Sequence, residues 1–210
     1  LSISAFGQNG PMGHRPGFDD VIQATSGFMS INERGDGPIR TGGPVLDYAT
    51  GMHSTSAVLA AVLLRQQTGK GQRIDIAMQD VTMLLMNRHT SIAATTGVAV
   101  PPGANRDGPM LGRYRAKDGY VMLAGYRANH QRSILKAIGL IEFASFSTAQ
   151  LMAQMPQIES KVEEVLQQKS VAQWDVIFSD SGVVAGGVKD LIEVFETGQP
   201  EARGLTSKVK

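Results

Sequence analysis

The run Ala57-Val58-Leu59-Ala60-Ala61-Val62-Leu63-Leu64 decides how this chain folds. Its side chains are apolar on nearly every face of a helix, which predicts a helix that is buried on most of its faces. The helix is predicted to extend over residues 47–67, because Asp47 suits the start of a helix and Gly69 suits its end. We therefore expect this helix to lie in the interior of the fold.

Strand-like and helix-like patterns alternate on both sides of this helix. Alternating polarity predicts strands over residues 1–6 and 73–78, and helical apolar spacing predicts helices over 18–29 and 79–95. Met83 and Met86 of the last helix are expected to be core residues. Beyond residue 110, the predicted elements are a hairpin over 113–124 with its turn at 117–119, helices over 129–138, 148–155, 157–168, 171–180 and 188–197, and a short apolar segment with glycines over 182–187.

Residues 97–109 are rich in glycine and proline, which is typical of a linker. The chain is therefore predicted to consist of two α/β pieces joined near residue 100. It begins at Leu1 inside a strand-like run, and its last residues, 205–210, alternate in the same way. We therefore expect it to be part of a larger fold, with segments outside it contributing to any active site.

Composition excludes several classes of function. With 42% hydrophobic and 19% charged residues among 210, the chain is typical of a globular protein. A net charge of +1 gives no support to a protein that binds nucleic acid or a membrane surface through bulk charge. The absence of cysteine excludes disulfides, thiolate metal sites, cysteine nucleophiles and iron–sulfur clusters. No apolar run reaches the roughly 18 residues that span a bilayer, and no signal-peptide pattern is present, so a cytoplasmic location is expected.

Histidine and acidic residues offer few other candidate sites. His14, His53, His89 and His130 have no metal-ligand spacing, so no metal is expected. Asp47 follows a Gly-Gly-Pro segment and opens the long helix, where the positive helix end and unpaired N–H groups favour an ionised carboxylate. Such a carboxylate can attack an activated acyl group. From the residues alone, the interpretation of Asp47 as an ordinary N-cap residue is favoured, as is that of residues 19–20 as a solvated acidic pair in the first turn of the preceding helix.

Several segments together resemble one enzyme family. In chain order they are SISAFGQNGP (residues 2–11), RPGFD (15–19), QATSG (23–27), GPVLDYATGMH (43–53), TGKGQ (68–72), AMQD (77–80) and KDGYV (117–121). Their order and spacing resemble the family III CoA-transferases, which include carnitine CoA-transferase and formyl-CoA transferase. The likeness covers most of the chain and is densest over residues 1–80.

The resemblance implies an α/β fold with part of a Rossmann-like large domain and a smaller α/β domain. Members of this family form homodimers whose two chains interlock like links. The implied parts here are the second part of the large domain (1–97), a linker (98–110), the small domain (111–200) and the start of the return to the large domain (201–210). The N-terminal Rossmann half and the C-terminal end of the family are expected to lie outside this chain.

The resemblance also implies a mechanism, in which Asp47 is the nucleophile. Its carboxylate attacks an acyl-CoA, forms an anhydride and then an aspartyl-CoA thioester, and CoA passes to a small carboxylic acid. Coenzyme A thioester is then a substrate, and no permanently bound cofactor is expected. The positions expected to contact CoA or substrate are Arg15, Phe18, Met78, Asn105 and Arg106.

Two alternatives remain open. The same superfamily contains α-methylacyl-CoA racemases, which pair the aspartate with a histidine as acid and base. That histidine falls at the position of Phe18, whose ring cannot carry a proton, and His14 lies four residues earlier. The transferase is therefore favoured over the racemase. The other alternative is a truncated, non-catalytic fragment that acts as a structural or binding domain.

Overall fold

The computed structural model describes residues 1–34, 37–101 and 110–207 of the chain. It divides the chain into two compact units, Leu1–Ala104 and Asn105–Lys210. Each unit contains both helices and strands, so the predicted α/β class is confirmed. The assignment of residue ranges to a large and a small domain, and the interlocked dimer, stay predictions.

The first unit is built around one long helix and a pair of parallel strands. Its elements are β1 (Ser2–Ser4), α1 (Asp19–Thr25), a 3₁₀ helix (Met29–Ile31), β2 (Glu33–Arg34), β3 (Gly37–Pro38), α2 (Val45–Thr68), β4 (Asp75–Ala77), α3 (Met78–Leu85) and α4 (Asn87–Thr96). Strand β1 pairs in parallel with β4, with Ile3 opposite Ile76. Parallel strands require a crossover connection, and α2 lies within it.

Helix α2 begins and ends close to the predicted positions. It follows Pro44 and ends at Gly69, whose φ of 70° is left-handed and whose N–H donates a hydrogen bond to the Arg65 carbonyl. Glycine takes this conformation without the penalty that a Cβ adds. The predicted glycine end of the helix is confirmed.

The predicted burial of α2 is wrong over its C-terminal half. Its buried residues are Leu46, Ala49, Thr50 and Ser54, all in the N-terminal half. The apolar run further along is largely open, and Leu63 is 61% exposed. Apolar composition shows that a helix face can be buried, but burial also requires an element that covers it, and the described residues cover this half only in part.

The predicted helix over residues 79–95 is two helices. They meet at Met86, whose φ of −97° and ψ of 26° end α3 and begin α4. Met86 is buried as expected, whereas Met83 is 41% exposed. The Thr90 hydroxyl donates to the Met83 carbonyl at 3.0 Å and so satisfies a carbonyl that the break leaves unpaired.

A small apolar cluster holds the first unit together beneath α1 and the start of α2. It consists of Phe6, Ile22, Leu46 and Met78. Gly17 lies against this cluster, where a Cβ would stand 3.2 Å from the Ile22 Cδ1 atom. The chain therefore passes closer to the cluster at Gly17 than a side chain would comfortably allow.

The second unit has an antiparallel sheet covered by helices. Its elements are β5 (Leu111–Arg115), β6 (Tyr120–Ala124), α5 (Ala128–Ala137), α6 (Ile141–Ala144), α7 (Thr148–Ala153), α8 (Met155–Leu166), α9 (Val171–Ser181), β7 (Ala185–Gly187), α10 (Leu191–Glu196) and α11 (Gln199–Ala202). The strand order is β5-β6-β7, with both pairs antiparallel. The predicted hairpin is confirmed, the segment over 182–187 contributes β7, and the short helices α6 and α11 were not predicted.

The core of the second unit is extensive. Its buried members include Tyr114 and Leu123 from the sheet and Leu135, Leu166 and Trp174 from the helices. The Trp174 ring stacks on Phe178, and its indole N–H donates to the Leu166 carbonyl at 2.8 Å.

Among the helices that the structure describes, none is both long and apolar enough to cross a membrane.

Candidate active site

Asp47 is the third residue of α2, and its side chain is exposed. Pro44 holds the N-cap position, so Asp47 is a first-turn residue and the N-cap interpretation of it is wrong. Its carboxylate has no hydrogen bond or ion pair with any other residue of the described ranges. A carboxylate with no structural partner, at the surface of a rigid helix, is accessible to an electrophile.

Asp19 performs the capping that Asp47 does not. Its Oδ2 atom accepts hydrogen bonds from the N–H of Leu46 at 2.7 Å and of Asp47 at 3.2 Å. The side chain is only 5% exposed, so the predicted solvated acidic pair is wrong for Asp19. It holds for Asp20, which is exposed and pairs with Arg40. The hydrogen bond from Arg40 to Asp20 raises the pKa of the Arg40 guanidinium.

A buried glutamine extends this network to the loop that precedes α2. Gln23, fully buried, donates from Nε2 to the Asp19 Oδ1 atom and accepts at Oε1 from the Thr41 N–H at 2.9 Å. Asn32 donates to the Thr41 hydroxyl at 3.4 Å. Helix α1 thus fixes both the loop and the first turn of the helix that bears Asp47.

The backbone N–H groups at the start of α2 are all engaged. Those of Leu46 and Asp47 bond to Asp19, that of Val45 donates to the Gly43 carbonyl at 3.0 Å, and that of Tyr48 donates to the Pro44 carbonyl at 3.2 Å. The expectation that unpaired N–H groups surround the Asp47 carboxylate is therefore wrong. Any further backbone hydrogen-bond donors for a reaction at Asp47 have to come from outside residues 45–48.

Arg15 and Phe18 line one groove of about 470 Å³. The Phe18 side chain is 84% exposed, and the Arg15 guanidinium lies 5.6 Å from the centre of the Phe6 ring. Arg15 has no carboxylate partner among the residues that the structure describes. Since Phe18 directly precedes Asp19, which contacts the Asp47 backbone, this groove and the candidate nucleophile belong to one region of the first unit.

The remaining predicted contact residues are Met78, Asn105 and Arg106. Met78 is buried in the cluster with Phe6, Ile22 and Leu46, so its side chain has a packing role. Asn105 and Arg106 lie outside the described residues. Within the described ranges, no three His, Asp or Glu side chains come together as a possible metal site.

Asp19 is the site residue that the sequence interpretation missed. A signal for it exists, because Asp19 lies three and four residues before Ile22 and Gln23, and such spacings share one helix face. An apolar Ile22 on that face indicates that Asp19 points inward and Asp20 outward. The contact with Leu46 and Asp47 joins residues 27 and 28 positions apart, and no local pattern encodes it.

Comparisons with known proteins match the whole chain. The family model CoA-transferase family III matches residues 1–210. The chain is 31% identical to mouse succinyl-CoA:glutarate CoA-transferase, over 99% of this chain and 49% of that protein. It is 29% identical to the acetyl-CoA:oxalate CoA-transferase of Acetobacter aceti, over 99% of this chain and 55% of that protein.

Solved structures show the same fold. A CAIB/BAIF family protein from Brucella suis superposes with a TM-score of 0.77 at 26% identity, over 97% of this chain and 56% of that one. The Rv3272 protein of Mycobacterium tuberculosis superposes with a TM-score of 0.83 at 23% identity, over 98% of this chain and 56% of that one. The chain spans about half the length of the curated relatives that it matches.

Proposed function

The chain belongs to CoA-transferase family III, and from that premise we propose that it carries the nucleophile of an acyl-CoA:carboxylate CoA-transferase site, with Asp47 in that role. The observation that carries the proposal is the exposed carboxylate of Asp47 in the first turn of α2, which has no hydrogen-bond or ion-pair partner among the described residues. A neighbouring carboxylate, that of Asp19, already caps this helix. Asp47 therefore has no structural duty that competes with chemistry.

The proposed reaction has two pairs of acyl-transfer steps. Asp47 attacks the thioester carbonyl of the donor acyl-CoA, the C–S bond breaks, and a mixed anhydride and CoA thiolate form. The thiolate then attacks the aspartyl carbonyl of the anhydride, which releases the donor acid and leaves an aspartyl-CoA thioester. Covalent catalysis of this kind divides one difficult exchange into easier steps.

The second pair of steps reverses the first with a different acid. The carboxylate of the acceptor attacks the aspartyl thioester, expels CoA thiolate and forms a new mixed anhydride. The thiolate attacks the acceptor's acyl carbon, so that a new acyl-CoA leaves and the Asp47 carboxylate is regenerated. None of the four steps transfers a proton, so no general acid or base is required.

Each attack creates a tetrahedral oxyanion that needs hydrogen-bond donors. The N–H groups of residues 45–48 are engaged, so the proposal assigns these donors to other parts of the complete site. Asn105 and Arg106, which the family resemblance implies as contacts of CoA or substrate, lie outside the described ranges.

Arg15 and Phe18 are proposed to contact the CoA moiety. CoA carries phosphate groups, and the Arg15 guanidinium, which has no carboxylate partner in the part of the chain that the structure describes, suits them because it can donate two hydrogen bonds in parallel. The exposed Phe18 ring offers an apolar face along the same groove. Phe18 also weakens the racemase alternative, because it occupies the position at which a proton-carrying side chain would be needed.

Covalent trapping of the intermediate tests the proposal. The protein is incubated with an acyl-CoA and hydroxylamine, and the peptides are analysed by mass spectrometry. We expect a hydroxamate on Asp47 that depends on acyl-CoA. The Asp47→Asn variant should lose the label and about 10⁴-fold or more of the transfer rate, as enzymes do when a nucleophile is removed.

The matched control is Asp80→Asn, because Asp80 is also an exposed aspartate in the first turn of a helix, α3. It should retain both the label and the transfer activity. Full activity of Asp47→Asn, or a label on another residue, would falsify the nucleophile assignment. Exchange of the substrate α-proton with solvent deuterium in the absence of an acceptor acid would support the racemase alternative instead.

A further inference from the structure

We infer that Asp19 is a positioning residue, whose buried carboxylate sets the direction in which the Asp47 side chain leaves α2. The inference rests on the proposed role of Asp47 as the nucleophile. Within the described residues, the hydrogen bonds of the Asp19 carboxylate go to the backbone of residues 46 and 47 and to the side chain of Gln23, so it acts through Asp47 and not on the reacting atoms.

The contacts of Asp19 determine the backbone orientation at Asp47. A single oxygen, Oδ2, accepts from two consecutive N–H groups, at 2.7 Å and 3.2 Å. Hydrogen bonds to a charged acceptor are stronger and shorter than neutral ones, and the low exposure of Asp19 reduces their screening by water. Because the Cα–Cβ bond follows from the backbone, the peptide planes on either side of Leu46 direct the carboxylate of Asp47.

Gln23 holds Asp19 in place from the other side. Its Nε2 donates to Asp19 Oδ1, and its Oε1 accepts from the Thr41 N–H, so the two ends of its amide cannot be exchanged without breaking both bonds. Gln23 is completely buried, so water cannot replace a lost bond. The orientation of the Asp19 carboxylate is therefore held by the Gln23 side chain, which is itself held by its hydrogen bond to the Thr41 N–H.

This arrangement is more than helix capping in the ordinary sense. A cap normally comes from the residue that precedes the helix, but Pro44 makes no side-chain cap bond to α2. The cap here comes from another helix, α1, and it bonds to the N–H of Asp47 itself. Displacement of a reacting group by about 1 Å can cost about 10²-fold in rate, so loss of this cap should be visible in catalysis.

The test compares Asp19→Asn with Asp20→Asn. Both changes remove one carboxylate from α1 without changing its size, but Asp20 is exposed and paired with Arg40. In Asp19→Asn an NH₂ group must face either Gln23 Nε2 or the N–H groups of α2, so one donor is left opposite another. We expect kcat for CoA transfer to fall about 10²-fold with little change in KM, whereas Asp20→Asn leaves both unchanged.

A second readout does not depend on turnover. Backbone amide exchange at residues 46 and 47 should be faster in Asp19→Asn than in the unmodified protein, and unchanged in Asp20→Asn. Hydroxylamine labelling of Asp47 should decrease in Asp19→Asn in parallel with kcat. A purely structural role would lower the unfolding temperature without a selective effect on labelling of the folded protein.

The double variant Asp19→Asn/Gln23→Glu restores the hydrogen-bond pattern, with the carboxylate moved from residue 19 to residue 23. Its asparagine can accept from the two α2 N–H groups and donate to the new glutamate, whose second oxygen can still accept from the Thr41 N–H. We expect it to restore slow amide exchange and most of kcat, and it also covers the case in which Asp19→Asn alone does not fold. The inference is wrong if Asp19→Asn leaves kcat, labelling and amide exchange unchanged, or if the double variant recovers slow exchange but not kcat.

The outcomes also distinguish this inference from the proposed function. If Asp47→Asn is inactive and Asp19→Asn is neutral, only the positioning role fails. If Asp47→Asn is fully active, the nucleophile assignment fails and the positioning role fails with it. Fast exchange at residues 46 and 47 in Asp19→Asn would then show that the contact is a helix cap and nothing more.

Discussion

The two units of the chain differ sharply in how they bury apolar side chains. In the second unit, the sheet and helices α5, α8 and α9 enclose a core that includes a tryptophan and several fully buried leucines and isoleucines. In the first unit the cluster at the candidate site is small, with Phe6, Ile22, Leu46 and Met78 as its buried members. The long apolar run of α2, which is the most hydrophobic stretch of that unit, stays largely exposed.

The topology of each sheet explains part of this difference. The second unit pairs neighbouring strands in an antiparallel hairpin, which can have one solvated face. The first unit has a parallel pair, β1 with β4, and parallel sheets are normally covered on both faces. Leu1 and Ile3 of this region are more than half exposed, and with Leu59 they line an apolar groove of about 350 Å³. The candidate nucleophile thus lies on the first unit, whose apolar side chains are covered less completely by the unit's own residues.

The largest effect that tests this comparison is expected at Trp174. It is 1% exposed, stacks on Phe178 and donates to the Leu166 carbonyl. Trp174→Ala should lower the free energy of unfolding of the second unit by about 3–5 kcal/mol, the usual cost of removing a large buried aromatic. Urea denaturation, monitored by circular dichroism, measures this change in the free energy of unfolding.

The conservative control is Trp174→Phe, which keeps an aromatic ring but loses the indole N–H. It should cost clearly less than Trp174→Ala. Because Trp174 is the only tryptophan of the chain, its fluorescence in the unmodified protein reports the unfolding of the second unit by itself. A cost below about 1 kcal/mol for Trp174→Ala, typical of a surface position, would mean that this core is not closed in solution.

A smaller effect is expected at Gly187, where strand β7 passes close to α9. A Cβ on Gly187 would lie 2.3 Å from the Val171 Cγ1 atom and 3.2 Å from both Asp175 carboxylate oxygens. Overpacking of a close contact costs about 1–3 kcal/mol, so Gly187→Ala should destabilise the second unit by this amount. The measurement is the midpoint of denaturation.

The double variant Gly187→Ala/Val171→Ala tests the cause. If the clash with Val171 is responsible, Gly187→Ala should cost much less when residue 171 is already alanine, and the two changes should show a coupling energy of about 0.5–3 kcal/mol. Additive costs would instead assign the loss to the Asp175 contact or to the backbone of β7. Either result shows how tightly the second unit is packed around residue 187.

Local rules predict much of this fold. The start of α2 near Asp47, its end at Gly69 and the hairpin turn over residues 117–119 all follow from residues that lie within a few positions of each other. The prediction that Asp47 is a candidate nucleophile likewise follows from its position at the start of an apolar helix and from the family resemblance. Such features depend on backbone propensities and capping, which short segments encode.

What the sequence does not predict depends on contacts between distant segments. The break at Met86 falls in a continuous helical pattern, and the hydrogen bonds of Asp19 with the N–H groups of Leu46 and Asp47 depend on where the start of α2 packs. The exposure of Leu59 and Leu63 has the same origin, because composition does not state which element will cover a face. The candidate site depends on one such contact, between Asp19 and the N–H groups of α2.

The smallest effect is expected at Leu63, and it tests whether the exposed half of α2 is also exposed in solution. Leu63 is 61% exposed, whereas Leu46 of the same helix is fully buried. Leu63→Ala should change the free energy of unfolding by no more than about 0.5 kcal/mol, because alanine is at least as good a helix former as leucine. Leu46→Ala should cost about 2–5 kcal/mol, and both are measured by denaturation at several protein concentrations. If Leu63→Ala costs as much as Leu46→Ala, another surface covers that half of α2, and a dependence of the midpoint on protein concentration would identify a second copy of the chain as its source.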